Sequence, residues 1–127
     1  PRADVGKERV MVAATKALLE QFVRVYNSGP DEVYALFGDS VDWSENPSGR
    51  GGDRAALFDA LKGFRDTFRD GHLEILNVVA GEDQGVLETV LTATNKTTSE
   101  PLKARVIWVL GFTDGKITKE HDYSFLI

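Results

Sequence analysis

The chain predicts an α+β fold: N-terminal helices packed into a strongly curved, mainly antiparallel sheet that forms a cone with an internal pocket. Three observations carry that expectation. Up to Gly71, apolar residues recur at three- and four-residue steps. Beyond Gly71 the period changes to two over successive β-branched and aromatic runs. The last two runs flank Asp114-Gly115, the strongest short-range hairpin signal in the chain. Helices followed by strands, rather than alternating with them, gather on one face of an antiparallel sheet.

From about Lys7 to Asn27, the residues Met11, Ala14, Leu18, Phe22 and Val25 form a helical stripe, widened by Leu19, Val23 and Tyr26. Asn27-Ser28-Gly29-Pro30 ends it by C-cap chemistry. Asp31 to Phe37 reads as a short second helix entered through Pro30. Val41 to Glu45 reads as a short strand, closed by Asn46-Pro47 and a glycine-rich bend from Ser48 to Gly52. Asp53 suits the N-cap of a third helix with Leu57, Leu61, Phe64 and Phe68 on one face. Four strands follow: His72 to Ala80, Gly85 to Thr97, Leu102 to Thr113 and Lys116 to Ile127.

Length and charge narrow the class. A chain of 127 residues makes one domain, residues 1–127, burying roughly two thirds of its unfolded surface. With 15 basic and 20 acidic residues the net charge is −5, so no basic stripe exists to displace counterions from nucleic acid or an anionic membrane. There is no cysteine, which excludes disulfides and thiolate chemistry. No apolar run reaches a membrane span and no signal-peptide core opens the chain, so a cytoplasmic protein is expected. Asp39, Asp42 and Glu45 are too scattered for a metal site, and no cofactor fingerprint is present.

The chemistry concentrates in Glu120-His121-Asp122, an ionisable cluster inside an otherwise apolar strand. If Thr113-Asp114-Gly115 forms a turn with a glycine bulge, Trp108 stands opposite Glu120 and Val106 opposite Asp122. A two-residue turn would instead pair Asp122 with Ile107 and break that correspondence. The bulged form gives one face carrying Ala104, Val106, Trp108, Leu110 and Phe112 with Thr118, Glu120, Asp122 and Ser124, the make-up of a ligand pocket. On this reading Asp122 is either a pocket acid/base or a structural carboxylate paired with Arg105 or Lys103. Glu120, nearer the turn, reads as a rim charge, and His121 belongs to the opposite face. Glu45 is either a pocket group or part of a surface loop. Trp43 and Trp108 read as pocket wall or core. Phe22, Phe58, Leu61, Phe64 and Trp108 are expected to close the pocket base.

Phe22 to Gly29 followed by Ala35-Leu36-Phe37, then Val41 to Pro47, Gly52-Asp-Arg-Ala-Ala-Leu57, and Gly111 to Ile117 with His121-Asp122-Tyr123, resemble the SnoaL-like members of the nuclear-transport-factor-2-like superfamily over essentially the whole chain. The resemblance implies polyketide-cyclase or isomerase chemistry and pairing of two chains sheet to sheet. It also tests the branches. Phe22 stands where ketosteroid isomerases carry a tyrosine donor and Trp108 where they carry a protonated Asp, so that chemistry is disfavoured. Leu87 to Leu91 offers no arginine for the triad of limonene epoxide hydrolases, whose Tyr and Asn fall on Trp43 and Glu45. Asp122 falls on the final-strand Asp of both the hydrolases and the SnoaL-type cyclases.

The resulting expectation is a cofactor-free acid/base enzyme of isomerase, cyclase or lyase type acting on a small, largely apolar carbonyl or polyketide-like compound. Asp122 would move the proton and Glu45 or Asn46 would orient the substrate, with Trp43, Trp108, Phe22, Phe58, Phe64 and Glu120 around it. The alternative is a non-catalytic small-molecule-binding or dimerisation module. Ile107, Val109, Tyr123 and Phe125 on the other face predict a homodimer through the sheet.

Overall fold

The computed structural model describes residues 2–29 and 31–127, with side chains described from residue 5 onward. Helix α1 spans Arg2–Ser28, a 3₁₀ helix Glu32–Leu36, strand β1 Phe37–Asn46, strand β2 Gly51–Gly52, and helix α2 Arg54–Thr67. Strands β3 (Phe68–Ala80), β4 (Gln84–Asn95), β5 (Pro101–Thr113) and β6 (Lys116–Leu126) complete the chain. Pro30, assigned above to the end of the first helix, lies outside the described residues.

The stripe of α1 is buried from Thr15 onward: Leu19, Phe22 and Val23 lie in the core, while Val10 is exposed. The backbone N–H of Gly29 donates to the Val25 carbonyl, closing the helix end. Asp53 caps α2 as the sequence implies, its carboxylate accepting from the Ala56 N–H at 3.0 Å. The segment after Gly29 forms only a single short 3₁₀ element, so two helices, not three, cover the sheet.

All six strands form one sheet in the order β2-β1-β6-β5-β4-β3. Four of its neighbouring pairs are antiparallel, while β1 runs parallel to β6. The expected strongly curved cone is therefore corrected: the sheet is mixed and open, neither closed nor tightly curled, and the α+β class stands. Two features account for this. Its edge strands are the two-residue β2 and β3, which have no partner beyond β1 and β4. With only two covering helices, α1 over β3 and β4 and α2 over β1, β2 and β3, little helical volume is left for a sheet to wrap around.

Leu19, Leu73, Leu87, Leu110 and Ile117 are fully enclosed between helices and sheet. Each such side chain stabilises the fold by about 1.5–3 kcal/mol. Gly85 lets α1 approach closely, because a Cβ there would lie 2.5 Å from Leu19 Cδ1 and from the Val79 carbonyl oxygen. Among the described residues no helix is long and apolar enough to cross a membrane.

Candidate active site

The β5–β6 hairpin positions the site by a route that differs from both turn readings. Asp114 and Gly115 both have positive φ, 51° and 76°, the two-residue type I′ form. Thr113 pairs with Lys116 and Phe112 with Ile117, which alone would send Asp122 to the wrong face. A bulge at Thr118 then shifts the register by one, so Gly111 meets Lys119, Leu110 meets Glu120 and Trp108 meets Asp122. Two local deviations restore the parity expected from a single bulged turn but not its pairs: Trp108 stands opposite Asp122 rather than Glu120, and Val106 opposite Ser124 rather than Asp122. Glu120 and Asp122 thus face the helices with Val106, Trp108 and Leu110.

The parallel β1 strand completes the arrangement. Trp43 is registered beside Glu120 and Glu45 beside Asp122. Across the sheet this gives two rungs, Trp43–Glu120–Leu110 and Glu45–Asp122–Trp108. Between them and α2 lies a cleft of about 1050 Å³. Of the residues anticipated from sequence, Trp43, Glu45, Leu61, Phe64, Trp108, Glu120 and Asp122 line it, while Phe22, Asn46 and Phe58 do not. Phe22 lies behind Trp108, edge-on at 5.2 Å. Phe58 packs edge-on against Tyr34 and Phe37. Asn46 donates its side-chain N–H to the Asp122 main-chain carbonyl at 3.3 Å, tying β1 to β6.

Glu120, read from sequence as a rim charge, is only 2% exposed. Burial, then the adjacent Asp122 carboxylate, raises its pKa well above the ordinary range. Its carboxyl is hydrogen-bonded to that of Asp122, while its Oε2 has no hydrogen-bond partner. Asp122 is 8% exposed, and burial pushes its pKa up to about 6. Glu45 adds to that rise, while the hydrogen bond from Glu120, the Trp43 indole N–H and the Arg50 guanidinium favour the anion. The Trp43 N–H makes no hydrogen bond of ordinary geometry, so its effect on Asp122 is that of a nearby dipole. The alternative pairing of Asp122 with Arg105 is not formed, since Arg105 turns to the opposite face and meets Glu88 at 3.6 Å.

Glu45 is held at the cleft mouth. Arg50 donates from Nε at 3.0 Å and Nη2 at 2.8 Å to Glu45 Oε1, and Ser48 Oγ donates to the same oxygen at 2.8 Å. Trp108 does not offer its N–H to the cleft: it donates to Thr89 Oγ1 at 3.0 Å, which donates on to the Val106 carbonyl at 2.9 Å. His121 faces away and lies 2.9 Å from Asp42. Among the described residues no group of three or more acidic or histidine side chains could hold a metal ion.

Tyr26 also lines the cleft and was not singled out from the sequence. Burial pushes its pKa up to about 12, with Arg65 opposing and Glu120 adding to the shift, so it remains a neutral phenol. The signal was available, because Tyr26 lies one helical turn beyond Phe22 on the same stripe. Arg50 had no comparable signal, standing in a bend that reads only as a turn.

No curated protein matches this chain in sequence. Among solved structures it is similar to AclR, a candidate hydroxylase from Streptomyces galilaeus, at 21% identity and TM-score 0.80, covering 91% of this chain and 81% of that one. A candidate polyketide cyclase from Xanthomonas campestris is similar at 21% identity and TM-score 0.79, covering 89% and 91%. A protein of ketosteroid isomerase-like fold from Catenulispora acidiphila, solved with trimethylamine, is similar at 16% identity and TM-score 0.73, covering 86% and 85%. These likenesses concern the fold. The SnoaL-like domain family matches residues 19–120, and the chain belongs to that family.

Proposed function

We propose that this protein is a cofactor-free acid/base enzyme that enolises a small, largely apolar carbonyl compound, as an isomerase, cyclase or lyase must. The observation that carries the reading is the Glu120–Asp122 pair, two adjacent buried carboxyl groups whose environments separate their proton affinities. Such a split assigns the roles. Asp122, ionised at neutral pH, takes a proton from the carbon beside the substrate carbonyl. The C–H electron pair moves into the enolate; Asp122, now protonated, releases the Glu120 hydrogen bond, and the enolate oxygen is met by the freed Glu120 O–H or by the Tyr26 phenol. Returning the proton at another carbon isomerises the substrate, and attack of the enolate on a second carbonyl cyclises it. Trp43, Trp108 and Phe64 supply apolar walls, and the Glu45–Arg50 pair closes the mouth.

The test is deuterium exchange into 2-tetralone in D₂O, followed by NMR. Exchange above buffer rate that falls roughly 10²–10⁴-fold in Asp122→Asn is expected. Tetralone that binds but exchanges no faster than in buffer would refute the reading.

A second reading is binding of a small molecule without turnover. The trimethylamine complex of the Catenulispora acidiphila structure favours it, since the cleft here offers an amine the Trp43 and Trp108 rings with the Glu45 and Asp122 carboxylates. Tight trimethylamine binding together with absent exchange would select it.

Under either reading the chain acts as a homodimer through the face of the sheet away from the helices. That face carries the ladders Val86–Val109–His121, Glu88–Ile107–Tyr123 and Val90–Arg105–Phe125. Tyr123 and Phe125 are 45% and 57% exposed, an apolar surface that a second copy would cover.

A further inference from the structure

A second cavity, about 350 Å³, adjoins the catalytic cleft and shares Tyr26, Leu61, Phe64 and Phe68 with it. Its polar lining has the opposite sign. Arg65, Arg69 and Lys96 converge there from α2, β3 and the β4–β5 turn, with Asp70 the one carboxylate among the described lining residues. The main cleft presents Glu45, Asp59, Glu120 and Asp122 against Arg50. In a chain of net charge −5, three cations gathered around one small cavity need a reason.

Helix-end chemistry does not provide it. The last carbonyls of α1 and α2 are already served: Ser28 Oγ and the Gly29 N–H donate to Val25, Thr67 Oγ1 to Gly63, and the Phe68 N–H to Phe64. Arg65 is engaged with Asp31 at 3.4 Å and stacks on Tyr34, so it adds charge rather than a free donor. Arg69 reaches Asp70 only at 3.5 Å, and Lys96 is fixed through its backbone N–H to the Thr67 carbonyl, leaving its ammonium on an anchored loop.

We propose that this cavity is an anion subsite, so that the ligand of the cleft is an apolar molecule bearing a carboxylate or phosphate at the end remote from Asp122. Arg69 and Lys96 hold the anion, and Tyr26 and Phe64 flank the passage. The charge opposition orients the ligand, since an anionic end is drawn towards Arg69 and Lys96 and repelled by Asp122 and Glu45. The inference deepens the proposed reaction by naming the substrate class, but its test reads binding and does not require turnover.

The experiment is calorimetric titration, at low and at 0.5 M salt, with 4-phenylbutyrate, 4-phenylbutyl phosphate and the neutral 4-phenylbutanol. The anions should bind roughly 5- to 20-fold more tightly than the alcohol at low salt, with the advantage shrinking at high salt. Preference for the phosphate over the carboxylate, or the reverse, identifies the natural anion. The Arg69→Ala/Lys96→Ala double variant alters two exposed residues and should abolish the advantage while leaving phenylbutanol binding intact. Equal binding of anions and alcohol, no anion binding at millimolar concentration, or an advantage that survives the double variant would overturn the proposal. Anion preference without deuterium exchange would leave it standing and reject only the enolisation reading.

Discussion

Replacing Asp122 by asparagine should stabilise the protein at neutral pH while disabling it. Burial raises the Asp122 pKa from 3.8 to about 6, so the folded state holds this proton more tightly than the unfolded chain does. Stability therefore falls as pH rises from about 4 to about 7, the direction opposite to a salt-bridged aspartate. The full shift corresponds to about 3 kcal/mol at neutral pH, an upper figure because Glu120 titrates with it. Asparagine keeps the shape and accepts the Glu120 hydrogen bond without carrying the charge. A gain of about 1–3 kcal/mol is expected at pH 7.5, roughly 3–12 °C in Tm for a domain of this size. At pH 4 the wild-type carboxyl is itself protonated, so the difference should nearly vanish. Thermal melts of both proteins at the two pH values measure this. A variant no more stable than wild type at pH 7.5, or equally stabilised at pH 4, would refute the assignment of a buried, strained carboxylate.

Glu120→Gln should melt within a few degrees of wild type at pH 7.5, because burial and the adjacent Asp122 disfavour a charge at this position, yet slow tetralone exchange by about 10- to 100-fold. Tetralone exchange in the wild type should rise with pH through about 6 as Asp122 ionises, then stay level over neutral pH; a rate that falls through 6 would assign the essential group as an acid. Gly85→Ala drives a methyl against Leu19 and the Val79 carbonyl and should cost about 1–3 kcal/mol in denaturant unfolding. Sedimentation at micromolar concentration should give a species of twice 14.0 kDa that dissociates in Val109→Glu/Phe125→Glu, whereas a wild-type monomer would remove the dimer.

The sequence disclosed the two α-helices and the four long C-terminal strands through their periodicity, and the helix cap at Asp53 through residue chemistry. But it read Gly51–Gly52 as a bend, began the first strand at Val41 rather than Phe37, and left Phe68 on the helix when it opens β3. What it could not disclose was partner choice. Nothing local tells Val41 to Asn46 that its neighbour is the final strand and that the two run parallel, yet that pairing brings Trp43 and Glu45 beside Glu120 and Asp122. Sheet curvature is likewise a property of all six strands together, and the expected cone failed there. The hairpin shows a different limit. Asp114-Gly115 formed the tighter turn, and Thr118, with no bulge signature of its own, restored the face assignment. Glu120 was misjudged because distance from a turn is a poor proxy for depth once α2 lies over that rung.

Buried polar atoms in a native core are nearly always paired, so the exceptions are informative. Four are orphaned among the described residues, and two of them, Trp43 Nε1 and Glu120 Oε2, belong to the same rung of the cleft. The other two, Arg54 Nε and Arg105 Nε, belong to guanidinium groups with further donors, whereas the second core indole is served: Trp108 spends its N–H on Thr89, and Thr89 passes its hydrogen to Val106. The chain therefore has the means to satisfy a buried indole and does so two strands away. An indole N–H left open beside a buried, half-satisfied carboxyl is costly to the free protein and complementary to a polar ligand atom that both could bond. Under the proposed function, a ligand seated in the cleft would complete the hydrogen bonding of this rung, and its polar atom should fall between the Trp43 N–H and the Glu120 carboxyl.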